Sequence, residues 1–362
     1  MAELWKLEER VTFALRELYQ HYGYAPFKMS KFEAYDLYMQ NKEFLVSDGV
    51  ITFTDTDGTL MALKPDVTLS IVKNFRKDKT PIQKVCYNEN VYRISGASRQ
   101  YREIMQSGLE CMGDVGLYEI CEVVALALRS LQSISEQVVL ELSHMDILAG
   151  LLSEMELTEQ QTTEVIQYLA EKNEDALLSV LTPVQADRLL PLMQISGPIL
   201  PALEKLEGLA AQSAINELKT LATFLAHSGL PQEKVHLDFS IVSDRNYYNG
   251  IVFRGYVEGI PTNVLSGGQY DQLMDKMGKQ AKAVGFAVYL DQLELLDRRS
   301  RAYDVDTVVV YGPDNDPVEI LRVTAPLERE QTLILKEVPT RIRYRRLMKI
   351  EDGRLTELEN HG

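Results

Sequence analysis

Four short segments place ionisable and aromatic groups inside otherwise apolar, sheet-forming sequence: Lys64-Pro65-Asp66-Val67-Thr68, Tyr92-Arg93, Gln106 with Glu110, and Asn246-Tyr247-Tyr248-Asn249-Gly250. Facing one cavity, they would supply carboxylates for an ammonium group, a guanidinium for an anion and aromatic walls. That is the chemistry that holds a free amino acid. Gln106, Gly108 and Glu110 alternate with Ser107, Leu109 and Cys111, so the first three share one face of a strand. Alone the pattern is not distinctive, because a Gln and a Glu on a strand face also cap backbone groups or line a solvated surface. Tyr247 and Tyr248, read as neighbours in a strand, would face opposite sides, which leaves at least one for the core with its hydroxyl satisfied.

Other chemistries find less support. Five histidines, at 21, 144, 227, 236 and 361, define no Ser-His-Asp or Cys-His arrangement by spacing, so no catalytic set is assigned. Cys86, Cys111 and Cys121 form no Cys-x-x-Cys and lie near no histidine at ligand spacing; they read as reduced, buried thiols, and neither a metal nor a cofactor is expected. Gly267-Gly268 lacks the spacing and the following Lys-Ser/Thr of a phosphate loop. Arg341, Arg343 and Arg345 alternate with Ile342 and Tyr344 beside Arg346 and Lys349, a pattern open to an anion or RNA. A solvated edge strand protected by charge is the favoured reading.

The balance of charge argues the same way. With 38 Lys and Arg against 53 Asp and Glu, the 362-residue chain carries −15 at pH 7 and repels a polyphosphate backbone on average. At 45% hydrophobic and 25% charged residues it has the composition of a soluble protein with one large domain and room for a smaller one. The start, Met1-Ala2-Glu3-Leu4-Trp5-Lys6, has no basic, apolar leader, and no apolar run reaches the ~18 residues of a membrane span. The expectation is a cytoplasmic protein, neither secreted nor membrane-inserted.

The elements that would position these groups follow from periodicity. Leu7, Val11, Leu15 and Leu18 recur at helical spacing over residues 4–22, with Gly23 as the stop. Residues 51–54 and 60–63 flank Asp55-Thr56-Asp57-Gly58 as a hairpin, and 68–75 reads as helix after Pro65. Strands over 85–93 and 104–112 flank a polar loop that begins Ser95-Gly96-Ala97. Helix (118–131), strand (138–142) and helix (145–155) follow. From about 156 to 230 strand signals disappear, Leu and Ala dominate, and Pro183, Pro191, Pro198 and Pro201 break the run, which predicts a helical insertion. Strands resume at 235–239, 251–253 and 283–290. After Arg298-Arg299-Ser300-Arg301 a small α/β unit is expected: a strand at 307–311, a helix from Asp316-Pro317, a strand at 332–335, and a last hairpin over 347–358 turning at Asp352-Gly353. The organisation is thus α+β, with a main domain over 1–300 and a small one over 301–362.

In their order, these segments resemble the signature runs of histidyl-tRNA synthetases from about residue 10 to 296. Leu63-Lys64-Pro65-Asp66-Val67-Thr68 is similar to the family's Leu-Arg-Pro-Glu-Gly-Thr. Tyr92-Arg93 and Tyr101-Arg102-Glu103-Ile104-Met105-Gln106-Ser107-Gly108-Leu109-Glu110 resemble its second motif. Tyr247-Tyr248-Asn249-Gly250-Ile251-Val252-Phe253, Gly267-Gly268-Gln269-Tyr270-Asp271 and Gly285-Phe286-Ala287 complete the pattern. The resemblance implies a class II synthetase fold, an antiparallel sheet flanked by helices with a dimer-like, self-associating core. It also carries over Asp66, Thr68, Gln106, Glu110, Tyr247 and Tyr248 as contacts to histidine. Arg93, retained from the family's ATP-binding set, joins them as the guanidinium of the pocket.

The departures carry as much information. Where active synthetases have an arginine four residues before the tyrosine pair, this chain has Ser243. Gln269 stands for the arginine of Gly-Gly-Arg-Tyr-Asp, and Gln292 for the arginine of the third motif. Adenylation develops negative charge that positioned cations must neutralise, and losing one such donor costs about 10²–10³ in rate. About sixty residues follow Arg299, fewer than the family's tRNA-binding domain, so no tRNA role is expected. In these losses the chain resembles the family of regulatory subunits of ATP phosphoribosyltransferase. That resemblance implies a non-catalytic protein that joins a short-form catalytic subunit, with histidine as effector. An active synthetase, or a synthetase-like protein that binds RNA or another enzyme, are the alternatives.

Overall fold

The computed structural model describes residues 5–45, 49–77, 80–94, 99–208, 211–241, 247–296, 303–328 and 330–361. Two compact units divide the chain, one over residues 7–293 and one over residues 294–362 together with the first six.

The larger unit opens with the helix Leu7–His21, whose Val11, Thr12, Leu15 and Tyr19 make a buried stripe at i, i+4 spacing. Gly23, at φ +82°, ends it in the left-handed conformation that favours glycine. The strands are β1 (Ala25–Pro26), β2 (Phe32–Ala34), β3 (Thr52–Thr54), β4 (Leu60–Leu63), β5 (Ile82–Ile94), β6 (Tyr101–Gly113), β7 (Val138–His144), β8 (Ser196–Pro198), β9 (Val235–Asp238), β10 (Asn249–Val257), β11 (Leu265–Gln269) and β12 (Lys282–Tyr289). Nine of them form one sheet in the order β1-β5-β6-β12-β11-β10-β7-β9-β8. Its middle is antiparallel throughout, but β1–β5 and β7–β9 pair in parallel, so the sheet is mixed where antiparallel pairing alone was expected. The predicted hairpin of β3 and β4 gains β2 and becomes a separate three-stranded sheet.

One face of the large sheet is covered by Leu7–His21 and by Leu117–Gln132, which is buried along most of its length. The edge of the opposite face packs on a cluster of Tyr38, Phe44, Leu69, Val72, Tyr270 and Leu273 with their neighbours. The insertion consists of helices Glu159–Ala170, Glu174–Val180, Pro183–Met193, Ile199–Leu206 and Gln212–His227. It is not purely helical: β8 lies within it and extends the large sheet through β9. Ser-Gly-Pro carries no strand signal; the three residues pair because the edge of β9 is there to receive them.

The smaller unit holds β13 (Val305–Val310), the helix Pro317–Thr324, β14 (Thr332–Leu335), β15 (Tyr344–Glu351) and β16 (Arg354–Asn360), in the sheet order β14-β13-β15-β16. Asp316 caps its helix by accepting the Val318 N–H, and Pro317 stands at the first helical position. The arginine pattern is corrected here. β15 starts at Tyr344, after Arg341 and Arg343, and it is an inner strand between β13 and β16. Arg343 and Arg345 pair with Asp304 and Asp306, and Arg346 with Glu330. These ion pairs join the segment to β13 and its surroundings.

Among the described residues no helix is long and apolar enough to cross a membrane, and no group of three or more His, Cys, Asp or Glu side chains forms a metal site.

Candidate functional site

Asp66, Thr68, Arg93, Gln106, Glu110, Tyr247 and Tyr248, the seven residues singled out from sequence, all line one cavity of about 390 Å³ on the sheet face opposite the long helices. The sheet's register brings them together. Glu110 on β6 lies level with Val85 on β5 and Gly285 on β12, and Gln106 lies level with Tyr289. The turn after β4 delivers Asp66 and Thr68 at the start of the helix Thr68–Asn74.

Glu110 is the most constrained group. Thr68 donates its hydroxyl to Glu110 Oε1 at 2.9 Å, and Tyr270 donates to Oε2 at 2.7 Å. Burial pushes Glu110 up to about 8; the two hydroxyls pull it back and the neighbouring Asp66 charge adds to the rise. Gly285 is required beside it, because a Cβ there would lie 1.7 Å from Glu110 Oε2. Asp66 is buried and raised by desolvation, opposed by the Leu69 N–H and the Arg93 charge. It serves two ends: Oδ1 accepts the Leu69 N–H of the first helical turn at 2.9 Å, and the side chain still lines the cavity.

Tyr247 and Tyr248 depart from the alternation expected of a strand. They precede β10, whose first residue is Asn249, and their rings face each other at 4.6 Å and 63°. Both line the cavity. Tyr247 also meets Phe44 and Tyr270 edge-on or tilted, each at 6.0 Å. Tyr248 lies over Gly268, where a Cβ would come within 2.7 Å of its ring. Gly267-Gly268 is therefore not a loop at all but the inside of β11.

Arg93 donates its Nε to the Pro65 carbonyl at 2.8 Å. Lys64, adjacent to the site in sequence, is fully buried and turned toward Glu89 at 2.6 Å. Two positions that depart from the synthetase pattern are engaged in internal bonds. Gln269 Oε1 accepts the Ile251 N–H at 2.8 Å, and Gln292 Oε1 accepts the Thr262 hydroxyl at 2.7 Å. Ser243, the third such position, lies outside the described residues, as do residues 95–98 of the loop after Arg93.

Sequence reasoning missed part of the wall. Tyr87, Tyr270, Tyr289, Arg254 and Ser266 line the same cavity, and Glu43, Phe44 and Leu45 close its side. Alternation from Gln106 and Glu110 gives the facing of one strand only. Which strands lie beside it is set by the order β6-β12-β11-β10, which local pattern does not carry. The thiols take no part: burial pushes Cys111 up to about 12 and Cys121 to about 11, so both are inert.

The arrangement is a recess with carboxylates and hydroxyls at one end, a pair of tyrosines packed edge-on to each other on one wall and guanidinium groups elsewhere, suited to a small ammonium-bearing ligand. The family model of histidyl-tRNA synthetase matches residues 2–293, and the chain belongs to that family. ATP phosphoribosyltransferase regulatory subunits are among its curated relatives. That of Caldanaerobacter subterraneus subsp. tengcongensis is 27% identical over 83% of this chain and 82% of its own. That of Clostridium kluyveri is 28% identical over 86% and 84%. Among solved structures, an ATP phosphoribosyltransferase regulatory subunit/histidyl-tRNA synthetase from Bacillus halodurans C shares the fold with a TM-score of 0.74, at 24% identity and 96% and 94% coverage. An ATP phosphoribosyl transferase complex from Thermotoga maritima contains a chain of the same fold, with a TM-score of 0.63, 21% identity and 78% and 97% coverage. The fold is that of the class II histidyl-tRNA synthetases.

Proposed function

We propose that this chain is the regulatory subunit of an ATP phosphoribosyltransferase, itself without catalytic activity, and that it senses histidine in the cavity built around Glu110. It would join a short-form catalytic subunit, be required for that subunit's activity, and transmit histidine feedback in the first step of histidine biosynthesis.

The observation that carries the reading is a contrast between the groups that line the cavity and the positions that depart from the synthetase pattern. The amino-acid side keeps two carboxylates, two hydroxyl donors and a tyrosine pair. Positions where a synthetase needs cations for ATP hold Gln269 and Gln292, whose side-chain oxygens accept internal hydrogen bonds. An uncharged amide whose oxygen is already bonded within the chain cannot neutralise a developing phosphorane charge. The curated relatives, regulatory subunits by name, support the same reading. Regulation then follows from differential binding. If histidine favours one arrangement of the complex, substrate affinity in the catalytic subunit and histidine affinity here change by the same factor.

The family match favours one rival, an active synthetase. Histidine-dependent exchange of pyrophosphate into ATP by the purified chain separates the two. The regulatory reading expects no exchange, together with co-purification with a short-form catalytic subunit; exchange above background, or failure to co-purify, goes against it.

A further inference from the structure

Two neighbouring rows of residues cross the sheet under the cavity. In one, Glu110 on β6 is followed by Gly285 on β12, Gly268 on β11 and Val252 on β10. In the next, two residues along each strand, Gly108 is followed by Ala287, Ser266 and Arg254. Strand alternation puts both rows on the same face. Between Glu110 and Arg254 the floor is made of glycine, alanine and serine, so no long side chain rises from it. Three strand spacings of ~4.8 Å place the two backbones about 14 Å apart. The side chains reach inward from either end and leave room for a small zwitterion.

An amino acid with its ammonium group against Asp66 and Glu110 must turn its carboxylate away from them. Two arginines line the cavity. Arg93 is tied at the rim by the Pro65 carbonyl, and its charge already bears on Asp66 and Asp291. Arg254 stands at the far end of the trough, where a guanidinium can take a carboxylate in two parallel hydrogen bonds. The competing role is a strut, since the Arg254 guanidinium also hydrogen-bonds to Tyr256 two residues along and lies level with Glu141 on β7.

We propose that Arg254 is the carboxylate anchor of the cavity, binding the α-carboxylate of the amino acid whose ammonium group lies against Asp66 and Glu110. The inference rests on the histidine reading of the site and adds to it a residue that fixes which end of the ligand points where. A ligand without a carboxylate is then discriminated against by this one side chain.

The test compares L-histidine with L-histidinol, which keeps the ammonium and imidazole groups but has a hydroxymethyl in place of the carboxylate. Calorimetry on the full chain, with competition for the weaker ligand, gives the ratio of the two affinities. The wild-type protein is expected to favour histidine about 10–100-fold, the cost of losing a charged hydrogen-bonding partner. In Arg254→Gln the ratio should fall close to one, and Arg254→Lys should restore part of it. A strut would weaken both ligands together and leave the ratio at its wild-type value, which overturns the proposal. A wild-type ratio near one overturns it as well. If the wild-type chain binds no histidine, the functional reading falls along with it, whereas a ratio that persists in Arg254→Gln leaves that reading standing.

Discussion

Tyr270 donates its phenolic proton to Glu110 Oε2 at 2.7 Å, although 160 positions separate the two residues. The bond spans the sheet, from the residue just after β11, across β12, to the middle of β6. With Thr68 on the other oxygen, the carboxyl cannot turn. Its anionic form has two hydroxyls in place of water, and burial lifts it to about 8.

Histidine binding should therefore move a proton. Near pH 7 the free carboxyl holds its proton, and an ammonium group brought against it lowers its pKa and expels that proton. The heat of binding is expected to scale with the ionisation enthalpy of the buffer, and Glu110→Gln to reduce that dependence and weaken binding at least tenfold. An unchanged buffer dependence in the variant would speak against Glu110 as the ammonium partner.

The same carboxyl makes the unliganded protein less stable toward alkaline pH. Its folded value, about 8, lies above the ordinary 4.5. Between those values the folded state holds a proton that the unfolded chain has released, so this contribution to stability falls as pH rises from about 4.5 to about 8 and is spent above that. The span is on the order of a few kcal/mol at most. Thermal melting of wild type and Glu110→Gln across this range should show the wild-type curve losing ground to the variant as pH rises.

Gly285 allows the carboxylate to lie against β12. A Cβ there would meet Glu110 Oε2 at 1.7 Å and the Leu109 carbonyl at 2.5 Å. Gly285→Ala is expected to cost about 1–3 kcal/mol, as overpacking does, and to weaken histidine binding more than melting alone would suggest. A variant that melts and binds as the wild type does would show that the carboxylate is not held as described.

The acidic end of the site is legible in sequence because it depends on local pattern. Gln106 and Glu110 alternate on one strand, and Asp66 and Thr68 follow a proline that ends another. Arg254 and Tyr270 are not legible this way, since they reach the cavity only through the strand order. A register shift between Asn249 and Val252 further unsettles any count of facing along β10. Alternation fails for the tyrosine pair for a related reason: both residues precede the strand, which begins at Asn249. In the smaller unit, charge alternation suggested an open edge, but whether a strand is an edge depends on its neighbours, and β15 has one on each side.

Asp238 clasps the insertion to the sheet. It accepts hydrogen bonds from Lys172 at 2.5 Å, Ser196 at 3.0 Å, and the Ser240 N–H and hydroxyl at 2.9 and 2.6 Å. Burial alone would raise its pKa, but the Lys172 and Ser240 bonds outweigh this and leave it lowered. Its contribution is therefore complete above the ordinary value of 3.8 and is lost as pH falls through the lower folded one. Asp238→Asn should cost about 1–3 kcal/mol and speed amide exchange around Lys172 and Ser196 ahead of β6. Equal protection in both proteins would show that the clasp contributes nothing.

The central claim concerns a sensor that acts through another chain, and one rate decides it. The full chain is mixed with a short-form ATP phosphoribosyltransferase catalytic subunit, and phosphoribosyl transfer to ATP is measured with and without histidine. The account predicts that adding the chain raises the rate and that histidine lowers it again, with Glu110→Gln blunting the histidine response but keeping the activation. A rate that the chain leaves unchanged, or one that histidine does not touch in its presence, would contradict it.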